Sequence, residues 1–396
     1  MKKLLLASTA TALMAGAASA EEINIGIVLG FTGPIESLTP HMAESAELAL
    51  QEINDSGAFL EGQTLVPVRA DSTCIDNSAA TAATERLVTA EDVVAIMGLD
   101  CSGVTMAVLQ NVAVPNGVPM ISPSATSPAF SDIDDDAARW FFRTSPSDAR
   151  QGQVLAEILM DRGYETIAIS YTNNDYGQGL ADSLAANFEE IGGTVTISAP
   201  HEDGKGDYSA EVGALAAAGG DILAVMGYAD QGGAGIIQNA YESGAFEVFA
   251  MGDGMFSRGL FDLVDNRLQD TIGTVPGAEG EGADRFIELT DAAGVMGESS
   301  FTGESYDAAA LIALAAQRAG EATRDAIADN IMAVATAPGE EILPGELARG
   351  LEILAEGGEI HYRGATGVDF IGIGEAAGVY REYIVEDGEF VTVQFR

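Results

Sequence analysis

Residues 93–126, VVAIMGLDCSGVTMAVLQNVAVPNGVPMISPSAT, contain the unit that decides the fold. Residues 93–97 are a continuous apolar run, residues 102–112 suit a helix, and residues 118–121 are a second apolar run. Short apolar runs are typical of strands covered on both faces, and a helix between two of them connects parallel neighbours. This stretch therefore predicts a strand, a helix and a strand of one parallel sheet.

The same alternation extends on both sides of this stretch. Further strands are predicted at 23–29 and 65–70, followed after residue 142 by strands at 166–171, 194–199, 222–226 and 248–251. Helices are predicted at 40–53, 76–90, 179–191, 209–218, 231–243 and 257–264, with Thr39 and Asp76 as caps of the first two. Two such units in tandem predict an α/β protein of two doubly wound parallel-sheet lobes.

The last third of the chain is mostly helical, at 283–293, 304–319, 323–335 and 345–356, and ends in strand-like segments at 379–385 and 390–395. These segments contain too many helices for a third sheet, so we expect them to complete the first lobe and then the second. The predicted lobes are 21–141 plus 275–362 and 142–274 plus 363–396. About three chain crossings between them would form a hinge.

The first twenty residues have the pattern of a secretory signal peptide. Lys2 and Lys3 precede an apolar run at 4–14, and residues 18–20, Ala-Ser-Ala, form a small-residue cleavage site. The apolar run is too short to span a bilayer, and no later run reaches the ~18 apolar residues that a spanning helix needs. We expect an exported mature chain that starts near Glu21 and does not insert into the membrane.

The charge of the chain excludes two classes of partner. Its 18 basic and 61 acidic residues give a formal net charge of −43. Such a field repels nucleic acids and anionic lipid surfaces, which require clustered Lys and Arg. We interpret the charge as an adaptation for solubility, consistent with a saline habitat, and infer little about a ligand from it.

The two cysteines, Cys74 and Cys101, follow predicted strands, and export would place them where disulfides persist. A bridge is the favoured interpretation and a catalytic cysteine is the alternative. The three histidines, His41, His201 and His361, are dispersed, and no HExxH, GxSxG or P-loop motif is present. We therefore expect neither an enzyme nor a metal site or cofactor.

Two loops of the first lobe carry small hydroxyl side chains at strand ends. Residues 98–103 include Ser102, and residues 122–126 include Ser124 and Thr126. Ligands of open parallel sheets bind beyond the carboxyl ends of the strands, and hydroxyl and backbone N–H groups suit a carboxylate. Ordinary helix capping is the alternative for these residues.

In the second lobe, Asp253 stands between glycines at a strand end, where it could meet an ammonium group or simply form a turn. Tyr176 and Tyr228 follow other strands and could contact a ligand or pack within the lobe.

Motifs in matching order cover essentially the whole mature chain: Gly33-Pro34, Cys74 with Cys101-Ser102, ISPSAT at 121–126, DYGQGL at 175–180, Gly227-Tyr228, MGDG at 251–254, SYD at 305–307 and GATG at 364–367. In these motifs the chain resembles the periplasmic Leu/Ile/Val-binding proteins of ABC transporters, which have the type I periplasmic binding fold. The resemblance implies two lobes joined by a three-strand hinge and a disulfide between the two cysteines.

The resemblance also implies roles for particular residues. Ser102 and Thr126, with the backbone around Ser124 and Ala125, match positions that hold the carboxylate of an amino acid. Asp253 matches the acidic position that pairs with the α-ammonium group, where the Leu/Ile/Val receptors usually have Glu.

Four further positions match ligand contacts of the family. Tyr176 and Tyr228 match contacts that the second lobe makes when the cleft closes. Leu38 and Phe301 fall near the apolar walls around the ligand side chain, and Leu38 replaces an aromatic residue of the Leu/Ile/Val receptors.

The implied function is capture of an amino-acid-like ligand in the periplasm and its delivery to an inner-membrane ABC permease, by a monomer without a cofactor. Alternatives within the fold are a receptor for an amide, urea or an aromatic acid, and a sensor that presents its ligand to a membrane receptor kinase.

Overall fold

The computed structural model describes residues 21–396, except the side chain of Asn266, so the predicted signal peptide at 1–20 lies outside the described residues. The strands are β1 Glu22–Leu29, β2 Thr64–Asp71, β3 Ala95–Gly98, β4 Met120–Ser122, β5 Phe141–Arg143, β6 Thr166–Thr172, β7 Thr194–His201, β8 Ile222–Met226, β9 Phe249–Met251, β10 Ile272–Pro276, β11 Glu340–Ile342, β12 Ile360–Tyr362, β13 Phe370–Ile371, β14 Glu375–Ala376, β15 Tyr380–Glu386 and β16 Glu389–Phe395.

The helices are α1 Thr39–Ser56, α2 Asn77–Ala90, α3 Ser102–Val108, α4 Val114–Asn116, α5 Asp135–Ala138, α6 Asp148–Asp161, α7 Asp175–Glu190, α8 Ser209–Ala218, α9 Gly232–Glu242, α10 Gly259–Val264, α11 Glu281–Ala293, α12 Thr302–Ala319, α13 Arg324–Ala335 and α14 Leu347–Ala355. A π-helical segment, Leu109–Ala113, joins α3 to α4.

Two seven-stranded sheets form the cores of two lobes. The first has the order β13-β14-β5-β4-β3-β1-β2 and the second β16-β15-β10-β9-β8-β6-β7. Strands β3 and β8 are buried along their whole length, because helices cover both faces of each sheet. This architecture confirms the predicted fold of two doubly wound lobes.

The chain passes between the two sheets three times, after β5, after β10 and after β14. Helix α12, which is rich in alanine and buried over most of its length, packs against α1 and α13 in the first lobe. The C-terminal hairpin β15–β16 then joins the edge of the second sheet through antiparallel pairing of β15 with β10. The three crossings form the predicted hinge between the lobes.

One part of the predicted division between the lobes is wrong. Residues 370–376, which we assigned to the second lobe with 363–396, form β13 and β14 at the edge of the first sheet. The Arg143 N–H donates to the Gly374 carbonyl at 3.0 Å, and the Arg143 side chain bonds to Glu375 at 3.0 Å. Through these contacts the backbone groups at the free edge of β5 find hydrogen-bond partners. We keep the rest of the division, with 21–141 plus 275–362 in one lobe, as a proposal.

Of the two helix caps predicted from the sequence, the structure confirms one and contradicts the other. The Asp76 side chain accepts hydrogen bonds from two N–H groups of the first turn of α2, which confirms it as a cap. Thr39 does not cap α1, because its hydroxyl donates instead to the Gly30 carbonyl at 2.9 Å. The short strands β5 and β10 and the helix α6 were not predicted.

Candidate functional site

A small cavity of about 30 Å³ lies between the two lobes, well below the ~300–1,000 Å³ of typical small-molecule sites. We call it the inter-lobe cavity. Both lobes contribute to its walls, which comprise Ile35, Leu38, Met42, Asp100, Cys101, Ser102, Ser124, Tyr176, Tyr228, Asp253, Gly254 and Phe301. Most of the polar residues among them follow the carboxyl ends of parallel strands, where the doubly wound topology places ligands.

Hydrogen bonds between the lobes hold this cavity closed at one side. The Ser37 N–H donates to the Asp230 carboxylate at 2.8 Å, and the Asp230 N–H donates to the Pro34 carbonyl at 3.1 Å. The hydroxyl groups of Ser37 and Ser257 lie 2.8 Å apart. The structure therefore shows the lobes in contact across their cleft.

The first-lobe wall is built from the loops after β3 and β4. Ser102 is buried, and its hydroxyl accepts a hydrogen bond from the Ser127 N–H at 3.1 Å. The Ser124 hydroxyl donates to the Asp100 carbonyl at 3.2 Å. These bonds join the two loops, so that small polar groups from both face the inter-lobe cavity.

Ala125 and Thr126 lie directly behind this wall and do not line the inter-lobe cavity. Both are fully buried, and the Thr126 hydroxyl has no hydrogen-bond partner among the described residues. The guanidinium of Arg143 donates to the carbonyls of Ala125 and Ser127 at 3.0 and 2.9 Å. This support fixes the backbone of the loop from beneath.

Asp100 is a cavity residue that sequence reasoning missed. It is buried, and its carboxylate accepts from the Gly30 N–H at 2.5 Å, the Ser72 hydroxyl at 2.9 Å and the Cys101 N–H at 2.9 Å. Burial raises the pKa of Asp100, and these hydrogen bonds oppose the rise. Asp100 thus connects the loops after β1, β2 and β3. Its position in the motif directly before Ser102 could have indicated from the sequence that it lies at the site.

Cys74 and Cys101 form a disulfide, with their Cα atoms 5.2 Å apart. The bridge connects the loop after β2 to the loop after β3, and Cys101 itself lines the inter-lobe cavity. The structure therefore favours the bridge over a reactive thiol and adds a covalent constraint to the first-lobe wall.

The second-lobe wall centres on Asp253, which is buried at the end of β9. The Tyr176 hydroxyl donates to its carboxylate at 2.8 Å and accepts from the Gly254 N–H at 3.0 Å. The rings of Tyr176 and Tyr228 stack with centroids 5.2 Å apart. Burial raises the pKa of Asp253 to about 6, so this wall carries a carboxylate that is costly to leave without a cation.

The remaining wall is apolar. Ile35, Leu38 and Met42 come from the start of α1 and the residues before it, and Phe301 precedes α12. Met42 lies in the first turn of α1, whereas Ile35 and Leu38 lie in the turn before it, so helical periodicity did not predict Ile35. This wall suits an aliphatic or aromatic group of a ligand.

Between residues 21 and 396, no three or more His, Cys, Asp or Glu side chains are grouped so that they could hold a metal ion. Over the same residues, no helix combines the length and apolar character needed to cross a membrane.

Two doubly wound lobes that close on a cavity with a hydroxyl-rich wall and an acidic wall define the class of two-lobed solute receptors. The family model described as periplasmic binding protein matches residues 22–349, and the chain belongs to this family. The chain is also similar to several Leu/Ile/Val-binding protein homologs.

Three known proteins illustrate this similarity. The chain is 28% identical to the chemotactic signal transduction system substrate-binding protein BasB of Halobacterium salinarum, over 88% of this chain and 83% of that protein. It is 28% identical to Leu/Ile/Val-binding protein homolog 3 of Brucella melitensis, over 81% of this chain and 86% of that protein. The leucine-binding protein LivK of Thermotoga maritima has the same fold, with a TM-score of 0.78, 22% identity and coverage of 94% and 98%.

Proposed function

We propose that this chain is the periplasmic solute-binding component of an ABC transporter, and that it captures a branched-chain or related amino acid by closing its lobes. The observation that carries the proposal is the pairing of Ser102 and Ser124 on one wall with Asp253 on the other, beside an apolar wall. An α-amino acid presents a carboxylate, an ammonium group and a side chain, and each matches one of these walls. An inner-membrane permease would receive the captured ligand.

In the proposed complex, the Ser102 hydroxyl and the backbone from Ser124 through Ala125 to Thr126 hold the carboxylate. Thr126 and Ala125 lie directly behind the lining residues, and the ligand carboxylate would compete with the Ser122 hydroxyl, which accepts the Ala125 N–H at 2.9 Å. Hydrogen bonds from N–H and hydroxyl groups to a charged carboxylate are stronger than neutral ones.

In the same complex, Asp253 pairs with the ammonium group, and Tyr176 and Tyr228 cover it from the second lobe. Leu38 and Phe301 contact the side chain of the ligand. Because the ligand touches both lobes only when they are closed, its binding energy favours the closed form over the open one.

Binding measurements on the purified mature chain test this proposal. L-Leucine, L-isoleucine and L-valine should raise the melting temperature, because a ligand that binds the native state stabilises it by mass action. 4-Methylpentanoate and leucinamide, which lack the ammonium and the carboxylate, are matched controls and should bind more weakly than leucine. Stabilisation by an aromatic acid, urea or an amide, with none by amino acids, would contradict the proposed ligand class.

The export step of the proposal has its own test. If residues 1–20 are removed as a signal peptide, N-terminal sequencing of the exported protein will read Glu21 first. A full-length chain retained inside the cell would contradict this part.

A second candidate function is sensing, in which the closed receptor presents its ligand to a membrane signalling protein. The similarity to a chemotactic substrate-binding protein supports it. A deletion strain distinguishes the two: loss of uptake of radiolabelled ligand favours transport, whereas loss of the chemotactic response with normal uptake favours sensing.

A further inference from the structure

A second cavity, which we call the hinge cavity, lies where the chain crosses between the lobes after β10. Its volume is about 210 Å³, which is room for roughly ten or more water-sized groups. Val275 and Pro276, the last residues of β10, line it. Phe301 lines both the hinge cavity and the inter-lobe cavity, so the two cavities are neighbours that share a wall residue.

The hinge cavity adjoins a surface groove of about 550 Å³, a volume within the ~300–1,000 Å³ of typical small-molecule sites. Both spaces are lined by Phe256, Gly297, Glu298, Ser299 and Arg381. The groove therefore provides an approach from solvent to the hinge cavity that does not pass through the inter-lobe cavity.

Arg381 of β15 is the interior cation of the hinge cavity. Its guanidinium carbon lies 4.5 Å from the centroid of the Phe256 ring, and its Nε has no hydrogen-bond partner among the described residues. Burial lowers the pKa of Arg381, and no hydrogen bond to a carboxylate within residues 21–396 opposes this effect. A partly buried guanidinium with an unused donor favours an anion that accepts its hydrogen bonds.

Ser300 supplies a second unused hydrogen-bonding group in the same cavity. It is 2% exposed, and its hydroxyl has no partner in the part of the chain that the structure describes. Buried polar groups are rarely left without a partner, because their lost hydration costs about 1–3 kcal/mol. A ligand oxygen in the hinge cavity would satisfy both Ser300 and Arg381.

The acidic residues around these two spaces do not exclude an anion. Burial raises the pKa of Glu304, which lines the hinge cavity, to about 8, so near neutral pH its carboxyl is mostly uncharged. Asp291, Glu298 and Glu389 are exposed along the groove, where solvent and salt screen their charges. Glu298 also lies 3.8 Å from the guanidinium of Arg258.

The rest of the hinge cavity offers apolar surface from both lobes. Phe256 and Val275 line it from the second lobe, and Phe286 and Ile287 of α11 line it from the first. A bare inorganic anion would leave this surface unused, whereas an organic carboxylate would place its apolar body against it.

We propose that the hinge cavity is a second binding site, for a small carboxylate with an aromatic or aliphatic body, whose charged end is held by the guanidinium of Arg381 and the hydroxyl of Ser300. The site does not depend on which ligand the inter-lobe cavity takes. Because Arg381 belongs to the second lobe and Ser300 to the first, a ligand held by both stabilises the closed arrangement of the lobes. By reciprocity, it raises the affinity of the inter-lobe cavity for its own ligand.

Thermal-shift titrations with phenylacetate at constant ionic strength test the site. Phenylacetate should raise the melting temperature, because it binds the native state. Acetate lacks the apolar body and phenylacetamide lacks the charge, so both should stabilise the protein much less. Stabilisation by acetate equal to that by phenylacetate would mean an adventitious ion only, and no stabilisation by phenylacetate overturns the proposal.

Variants of the two donors locate the bound phenylacetate. Arg381→Gln should lower its affinity by roughly tenfold or more, and Ser300→Ala by roughly three- to fivefold. Arg86→Gln, which removes the same charge from an exposed position outside the hinge cavity, should bind like the wild type. Ser300→Ala removes a single hydroxyl and decides the question if Arg381→Gln does not fold. Wild-type affinity in both donor variants overturns the proposal.

Calorimetry with L-leucine separates the two cavities. Phenylacetate should bind about fivefold more tightly to protein saturated with L-leucine than to leucine-free protein, because both ligands favour the closed lobes. Loss of phenylacetate binding under saturating leucine would place it in the inter-lobe cavity and overturn the second site. If leucine itself does not bind, the proposed function fails, whereas the dependence of phenylacetate binding on Arg381 still decides whether the hinge cavity is a site.

Discussion

The hydroxyl of Tyr176 lies 2.8 Å from the carboxylate of Asp253 and donates a hydrogen bond to it. Tyr176 belongs to the first turn of α7 and Asp253 follows β9, so this bond joins two elements of the second-lobe wall. The same hydroxyl accepts the Gly254 N–H, which fixes the loop that carries Asp253. The orientation of the acidic group therefore depends on an aromatic residue 77 positions away in sequence.

Asp253→Ala should weaken amino-acid binding at least tenfold, about 1.5 kcal/mol or more, because it removes a buried, charge-assisted contact with the ammonium group. Isothermal calorimetry at pH 7.5 measures the change. Asp175→Ala is a control that removes an exposed acid from the same lobe and should leave affinity unaltered. Equal affinity of wild type and Asp253→Ala would remove Asp253 from the site.

Tyr176→Phe should lower affinity by roughly three- to tenfold, because loss of the hydroxyl leaves the carboxylate of Asp253 without its tyrosine donor. Tyr241, which is 40% exposed, offers a matched control, since Tyr241→Phe removes a hydroxyl far from the cavity walls. If both variants bind like the wild type, the hydrogen bond does not position Asp253 for binding.

The affinity for an amino acid should fall by about tenfold between pH 7 and pH 5. The pKa of Asp253 is raised by burial to about 6, so below that pH the carboxyl is increasingly neutral and no longer attracts an ammonium group. Calorimetric titrations of the wild type and Asp253→Asn across this range provide the check. A flat wild-type profile would contradict the assignment, and Asp253→Asn should show little dependence on pH in this range.

Removal of the disulfide should destabilise the protein by about 3.5 kcal/mol in the chain-entropy model, because it frees a loop between cysteines separated by 27 residues. Urea unfolding of the double variant Cys74→Ser, Cys101→Ser measures this loss. The oxidised wild type treated with a thiol reagent but no reductant is the control, since both cysteines are bridged. An unchanged unfolding midpoint would mean that the bridge does not constrain the unfolded chain as expected.

Potassium chloride should stabilise the protein, because a net charge of −43 makes the folded chain repel itself and salt screens that repulsion. We expect about 1–2 kcal/mol between 0.1 and 1 M salt, visible as a melting temperature higher by roughly 1–3 °C. A melting temperature that does not respond to KCl would show that the acidic surface has no effect on stability.

Much of the fold could be predicted from the local pattern of apolar residues in the sequence. The apolar runs of β1, β3, β6 and β8 and the helices between them were predicted because a strand buried on both faces must be apolar throughout. The loops after β3, β4, β6, β8 and β9 contained Ser102, Ser124, Tyr176, Tyr228 and Asp253, all of which line the inter-lobe cavity. Leu38 and Phe301, taken from the resemblance, line it as well.

The remaining short strands and the burial of particular acidic residues could be read only from the tertiary structure. The short strands of residues 370–376 carry little pattern of their own and form because the edge of β5 offers unpaired backbone groups. In sequence Asp148 looks like an ordinary acid at a helix start, and Asp100 was not predicted as a cavity residue despite its place in the motif before Ser102, yet both are buried. Hydrophobic periodicity is a local property, whereas the burial of a carboxyl and its distance from another depend on segments far apart in the chain. The sequence therefore determined the lobes and most of the cavity-lining residues, and the folded structure determined which acids share the cavity wall.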